Sequence, residues 1–350
     1  MSTQGVDSRL CVYFDMNVWV EMARGVHAAE SRWEQVVHDL RAAAGAGLIV
    51  IPLSASHYLE LWHRRSKESR ESVGAIMRDL SLYATLAPIQ RIRELEVAAA
   101  VDRFAGLAPT VVGRSEVLAS GANHAFDSEF GRFRFVERLE TEKDAEGPAV
   151  PAPEEFGRLN LRGPNWEWLQ LVGTQEIVEK DGVDRTPEHR LGNRYAAQEL
   201  GLRSKLEDDP ARRRRLADII VTQEIVDLTE QINSACVERR TDPHGVFLGN
   251  ADFDDPPTAM RAFVAAMPSV QVLATLRLWK HRDLTHPWEQ HDKGDLIALS
   301  AAIPYCDAVV TERRWAHLAK AARLTSGFGT TVGCGLQAIE ELLQRLDGAG

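Results

Sequence analysis

The hydrophobic pattern is densest near the two ends of the chain. Leu10-Cys11-Val12-Tyr13-Phe14 and Leu48-Ile49-Val50-Ile51 are short, continuously apolar runs rich in strand formers, with a helical stretch from about Ala28 to Ala44 between them. This is a βαβ pattern, and strands without polar alternation are expected to be parallel and covered on both faces. Ser54 or Ser56 is placed to cap a helix running through about Arg65, and Val73, Ile76, Met77 and Leu80 recur at helical spacing in the next helix. Toward the other end, Leu296 to Ile303 predicts an apolar helix halted near Pro304, Ala308-Val309-Val310 a buried strand, and Trp315 to Arg323 a further helix. A last strand around Thr331-Val332 leads into an amphipathic helix with Leu336, Ile339, Leu343 and Leu346 on one side. The glycines from Gly327 to Gly335 lack the strand-then-helix context of a nucleotide fingerprint and read as turns.

Between these blocks the chain becomes mostly helical and polar. The expected organisation is therefore a discontinuous α/β core, residues 1–88 and 266–350, interrupted by a helical insertion over 89–265. Proline and glycine predict loops at Asp144 to Pro153, at Asp242-Pro243-His244-Gly245 and at Asp252 to Pro257. Trp166 and Trp168 have faces on which bases stack, but buried packing is the commoner fate of such residues and the preferred reading. There is no internal repeat.

Composition narrows the function classes. A chain of 350 residues, 44% hydrophobic and 26% charged, is long enough to bury a substantial core. Met1 to Arg9 has no secretory pattern and no apolar run reaches the ~20 residues of a membrane span, so a cytoplasmic location is expected. Cys11, Cys236, Cys306 and Cys334 show no C-x-x-C spacing and read as packing residues. A net charge of −10 argues against bulk nucleic-acid coating. It leaves local basic patches: Arg212-Arg213-Arg214-Arg215 first, then Arg64-Arg65 and the stretch carrying Arg277, Lys280, His281 and Arg282. A solvated helix face is the plainer reading of each.

The acids carry the chemistry. In an open parallel sheet the crevice beyond the carboxyl ends of the strands binds ligands, and the helices start at that same edge. Asp15 directly follows the first strand, Glu60 lies early in the helix after the second, Asp292 and Asp295 open the Leu296 helix, and Glu312 follows the Val309-Val310 strand by two residues. Each has a structural explanation as a cap, a dipole partner or a solvated turn residue. Together they crowd one edge, and carboxylates without matching bases repel one another unless a hard cation is present. Asp307, at the other end of its strand, falls on the opposite edge of the sheet.

Tyr13-Phe14-Asp15-Met16-Asn17, Ser54 to Glu60, Asp295 to Leu299 and Val309-Val310-Thr311-Glu312-Arg313-Arg314-Trp315, in that order, resemble the four acid motifs of PIN-domain nucleases. The match covers about 170 residues in two pieces. It departs from the family in having glutamate at 312, where aspartate is commoner, and in the long insertion. The resemblance implies a PIN-like Rossmannoid parallel sheet flanked by helices, with a large, mostly helical insertion. It also implies Mg²⁺ or Mn²⁺ held by Asp15, Glu60, Asp295 and Glu312, with Asn17 and Thr311 orienting the ligands. Asp292 reads equally as a further ligand or as a cap. The implied activity is metal-dependent hydrolysis of phosphodiester bonds in single-stranded RNA. A catalytically silent scaffold for RNA or a protein partner, and a DNA-directed or defence nuclease, are the alternatives. Neither an inhibitory protein nor an oligomeric state is legible. His281, His286 and His291 do not share a helical face at a spacing of five, which disfavours a zinc site.

Overall fold

The computed structural model describes residues 9–133, 136–138, 146–149, 160–179, 186–247 and 253–347. The first block runs β1 (Leu10–Phe14), α1 (Met16–His27), α2 (Ser31–Gly45), β2 (Ile49–Val50), α3 (Ala55–Trp62), α4 (Lys67–Ser81) and β3 (Ala84–Leu86). The helix expected from about Ala28 to Ala44 is α2, and a helix the pattern does not predict, α1, precedes it, the two parted at Ala29, which takes a left-handed φ of 54°. The first helix leaves β1 through one residue, Asp15, with no proline or glycine between them.

The middle of the chain carries α5 (Ile89–Phe104), α6 (Arg114–Val117), β4 (Leu118–Ser120), α7 (Ala122–Ala125), β5 (Val136–Arg138), β6 (Glu146–Ala149), α8 (Pro164–Val172) and α9 (Gln175–Ile177). Then come α10 (Thr186–Asp208), α11 (Pro210–Arg214), α12 (Leu216–Asp227), α13 (Thr229–Glu238), α14 (Pro243–Phe247), α15 (Pro256–Ala265) and α16 (Pro268–Arg282). The loop expected at Asp242–Gly245 turns helical at Pro243, which opens α14, and the one expected at Asp252–Pro257 is non-helical over 253–255 until Pro256 opens α15, because proline starts a helix as readily as it ends one. Within the loop expected at Asp144–Pro153, Glu146–Ala149 forms β6, antiparallel to β5. The rest of that loop, and Asp252, lie outside the described residues.

The last block runs α17 (Asp292–Tyr305), β7 (Ala308–Val310), α18 (Arg313–Ala321), α19 (Leu324–Phe328), β8 (Thr331–Gly333) and α20 (Gly335–Asp347). Pro304 lies inside the final turn of α17. Of the glycines read as turns, Gly329 and Gly335 have positive φ (71° and 68°), while Gly327 belongs to α19 and Gly333 to β8.

The fold is α/β: a four-stranded parallel sheet, in the order β2-β1-β7-β8, flanked by helices. A parallel bridge from Leu53 to Thr85 attaches β3, which pairs antiparallel with β4, at the β2 side. The two-residue period of β1 divides it between two cores. Val12 and Phe14 join α1 to α4 and α20 on one face, and Cys11 and Tyr13 join α16, α17 and α18 on the other. Covering both faces is what makes the strand continuously apolar, and each such side chain contributes roughly 1.5–3 kcal/mol on burial.

The two blocks and the middle helices share their cores. Ala122, Leu171 and Val172 pack with α1 to α4, and a third cluster joins Val97 and Val101 of α5 to Ile220, Ile232, Phe263 and Val270. Trp166 is buried, donating its indole N–H to Asn123 at 3.0 Å, and Trp168 is partly buried with Arg78 5.1 Å over its ring.

Candidate metal centre

The strand order reverses between β1 and β7, so the crevice of the sheet opens beyond their carboxyl ends. Asp15 is the first residue past β1, and its backbone N–H donates to the carbonyl of Val310 at 2.9 Å, tying it to the end of β7. Its φ of −67° and ψ of 157° are those of an N-cap, and Oδ1 accepts the Met16 N–H at 2.7 Å. Oδ2 accepts the Thr311 hydroxyl at 2.8 Å. Capping therefore uses one oxygen and leaves the other facing β7.

Glu312 is the N-cap residue of α18 but makes no side-chain capping bond; its Oε1 accepts the amide of Asn17 from α1. Asp295 stands in the first turn of α17, and its Oδ2 accepts the indole N–H of buried Trp315 at 2.8 Å. Oδ1 of Asp295 and Oε2 of Glu312 have no protein donor among the hydrogen bonds of the described residues. Burial, then the charges of Asp15, Glu312 and Asp292, push Asp295 up to about 7 against the pull of the Trp315 N–H. Burial also raises Asp15, opposed by its bonds from Thr311 and Met16.

Glu60 is exposed on α3, and its charge and that of Asp15 add to burial in raising the Tyr13 phenol. Tyr13 bonds Ser54 at 3.1 Å, and the Ser54 backbone N–H donates to His57 Nδ1 at 3.0 Å, closing the start of α3. Burial drives His57 down to about 3, so this ring, stacked 5.1 Å from Tyr13, is a neutral acceptor.

Asp292 lies apart from this use. It is fully buried, takes Lys280 Nζ at 2.9 Å, the Arg314 guanidinium and the Glu289 N–H at 2.7 Å, and so has cations where a metal ligand would have vacancies. Of the two readings of Asp292, neither a metal ligand nor a simple cap describes it. Lys280 and Arg277 are corrected with it. Lys280 is buried on Asp292, and Arg277 is buried between Glu199 and Glu224, so neither presents charge to a nucleic acid. These partners lie 12 to 78 residues apart on packed helices, a relationship no local spacing encodes. His281 is buried on Glu199 at 2.7 Å. Arg212 to Arg215 are all exposed, on α11 and the residue after it, while Arg64 is partly covered and donates to Ser69 at 2.8 Å.

Asp307 is at the other end of β7. Its carboxylate accepts the Cys11 N–H at 2.7 Å and pairs with Arg114 at 2.7 Å. It fastens the start of β7 to β1, away from the acids.

Asp15, Asp295 and Glu312 thus stand within electrostatic reach of one another, but among the described residues no three His, Cys, Asp or Glu side chains are closed up as a metal-binding group. The donor set itself is hard oxygen, suited to Mg²⁺ or Mn²⁺, and two of its oxygens are free of protein donors among the described residues. Sequence reasoning placed Asp15, Asp295 and Glu312 at this edge, put Asp292 there without its ion pairs, and missed the role of Trp315, whose spacing from Asp295 carries no signal. Comparison with family models, with curated proteins and with solved structures returns no match.

Proposed function

We propose that the chain is a PIN-like, divalent-metal-dependent endonuclease that hydrolyses phosphodiester bonds in single-stranded RNA. The supporting observation is the convergence of Asp15, Asp295 and Glu312 at the switch point, each held by a neutral donor: Thr311, Trp315 and Asn17 in turn. Their mutual repulsion, which adds to burial in lifting Asp295 to about 7, is the condition a hard cation relieves. Asp15, Asp295 and Glu312 would hold Mg²⁺ or Mn²⁺, with Glu60 on the neighbouring helix as the remaining acid. The chemistry the ion supplies when bound is activation of water and stabilisation of the attacking and leaving oxygens. Thr311 and Asn17 fix the carboxylate planes of Asp15 and Glu312, and Trp315 restricts Asp295 to one orientation. The exposed Arg212–Arg215 run offers phosphate contacts.

A silent PIN-like scaffold that binds RNA or a protein is the second reading, favoured by the open spacing of the acids. No single helix among the described residues is long and apolar enough to cross a membrane, and a cytoplasmic location accompanies either reading.

The test is incubation of the full chain with end-labelled single-stranded RNA and DNA in Mn²⁺, in Mg²⁺ and in EDTA. The expected result is internal cleavage of RNA that requires the metal and disappears in Asp295→Asn. Cleavage of DNA in preference to RNA would favour the DNA-directed reading, and cleavage of neither polymer would overturn the enzyme.

A further inference from the structure

A shallow groove of about 500 Å³ separates α10 from the segment that leads into α17. Asn193, Ala197 and Leu200 form one wall, and Trp288, Gln290 and His291 the other. The far wall leads into α17, which carries Asp295 in its first turn. His291 is the N-cap residue of α17, and its carbonyl accepts the backbone N–H of Asp295 at 3.2 Å, so His291 and Asp295 are one helical turn apart on one face.

The lining has a definite chemistry. Among the described residues it contains no lysine or arginine and one acid, Glu289, so the groove is not built to take phosphate. It offers two amides, Asn193 and Gln290, and the imidazole of His291, with the apolar surface of Ala197 and Leu200 between them. Gln290 already bonds His291 at 3.1 Å, and the His189 ring stands edge-on to His291 at 6.3 Å. Amides and rings beside an apolar floor are what pair with base edges and stack on base faces. Trp288 is 3% exposed and backs the groove from below, its indole N–H buried without a partner among the described residues. The groove is also held at a set width. Gly192 of α10 meets the Gln290 carbonyl so closely that a Cβ there would overlap it, and Arg203 of the same helix donates to the His286 carbonyl at 3.1 Å.

We infer that this groove seats an unpaired nucleobase next to the phosphodiester presented to Asp295, making it a base-reading subsite for single-stranded nucleic acid. The inference rests on the proposed nuclease reading, and it explains one use of the long insertion, since α10 supplies half of the subsite. A duplex is excluded from it, because its bases are stacked and paired.

The experiment measures binding of a fluorescein-labelled single-stranded RNA decamer to the full chain by anisotropy, in EDTA and across a salt series. Ala197→Trp fills the groove, and Asn193→Ala removes an exposed amide with little consequence for folding. Both variants should weaken binding by about three- to tenfold with an unchanged salt slope, because a base contact releases no counterion. A decamer of abasic sugar-phosphate should bind wild type and variants alike. Wild-type affinity in both variants, an equal loss for the abasic strand, or no RNA binding by the wild-type chain would each overturn the subsite. Because binding is read without metal, the outcomes separate from those of the nuclease reading. Loss of binding in the variants with no cleavage by the wild type leaves the subsite standing and the enzyme refuted. Normal binding by the variants with metal-dependent cleavage by the wild type does the reverse.

Discussion

The indole N–H of Trp315 donates to Asp295 at 2.8 Å, although the two residues sit on different helices and 20 positions apart. The same ring lies under the cations of the neighbouring buried cluster, with Arg314 at 4.8 Å and Lys280 at 5.5 Å from its centroid. Trp315 therefore joins the acidic edge to the ion pairs behind it. Trp315→Phe keeps most of the apolar burial and removes the donor, which costs about 1 kcal/mol of stability. It also frees Asp295 to turn and raises it further, since the lost bond was holding it down. The expected outcome is a lower metal-dependent cleavage rate with its alkaline-rising limb moved to higher pH. An unchanged pH–rate profile would assign the tryptophan to packing alone.

Asp295 makes the metal-free protein pH-sensitive in a defined window. Its ordinary value is 3.8 and its folded value is about 7, so between those limits the folded chain keeps a proton that the unfolded chain has lost. Its contribution to stability is present in full below about pH 4, falls as pH rises toward 7, and is level above that. Melting in EDTA should show wild type losing stability relative to Asp295→Asn across that window. A difference between the two that does not vary with pH would contradict the assignment. In Mn²⁺ the relation should reverse at pH 8, where the ion replaces the proton.

Asp292 separates a structural acid from a ligand. Asp292→Asn leaves the buried Lys280 and the partly covered Arg314 against a neutral amide, and breaking the buried Lys280 ion pair in this way costs about 3–5 kcal/mol. The melting temperature should fall sharply in EDTA and in Mn²⁺ alike. A variant that melts like wild type in EDTA but has lost its Mn²⁺ response would restore Asp292 to the ligand set.

Changing Arg212, Arg213, Arg214 and Arg215 together to alanine removes an exposed basic run without touching a core. RNA binding should weaken, and the slope of log affinity against log salt should become shallower by about 0.7 for each phosphate that is no longer neutralised. Binding curves that superimpose with those of wild type at every salt concentration would make the run a solvated helix face.

Glu312 and Asp307 bracket β7 and should behave oppositely. Glu312→Gln is expected to lower turnover by about tenfold or more with little change in stability, since it removes the charge of a metal ligand and keeps its shape. Asp307→Asn weakens the bonds to Cys11 and Arg114, so it should lower stability by roughly 1–3 kcal/mol and leave turnover per folded molecule near wild type. Measuring activity and melting on both proteins decides the matter: loss of metal response in Asp307→Asn with its retention in Glu312→Gln would place the site at the wrong edge of the sheet.

Much of this architecture was legible along the chain. The apolar runs at Leu10–Phe14 and Ala308–Val310 announced buried parallel strands, and strand direction alone put Asp15 and Glu312 at one edge and Asp307 at the other, because a parallel sheet converts sequence position into spatial edge. What surrounds the acids was not legible. Whether Lys280 and Arg277 faced solvent or a carboxylate depended on which helix packed beside α16, and Asp292 and Glu199 reach them from elements outside any local period. The pairing of Thr311 with Asp15, Asn17 with Glu312 and Trp315 with Asp295 was likewise decided by packing. A hydrogen bond needs its partners within about 3 Å, and separation along the chain does not fix distances between helices to that margin. The sequence alone determined the four parallel strands and the edge where Asp15, Asp295 and Glu312 stand, but not the antiparallel pairs β3–β4 and β5–β6. Tertiary packing determined which charges there are neutralised, which are held by donors, and which remain free.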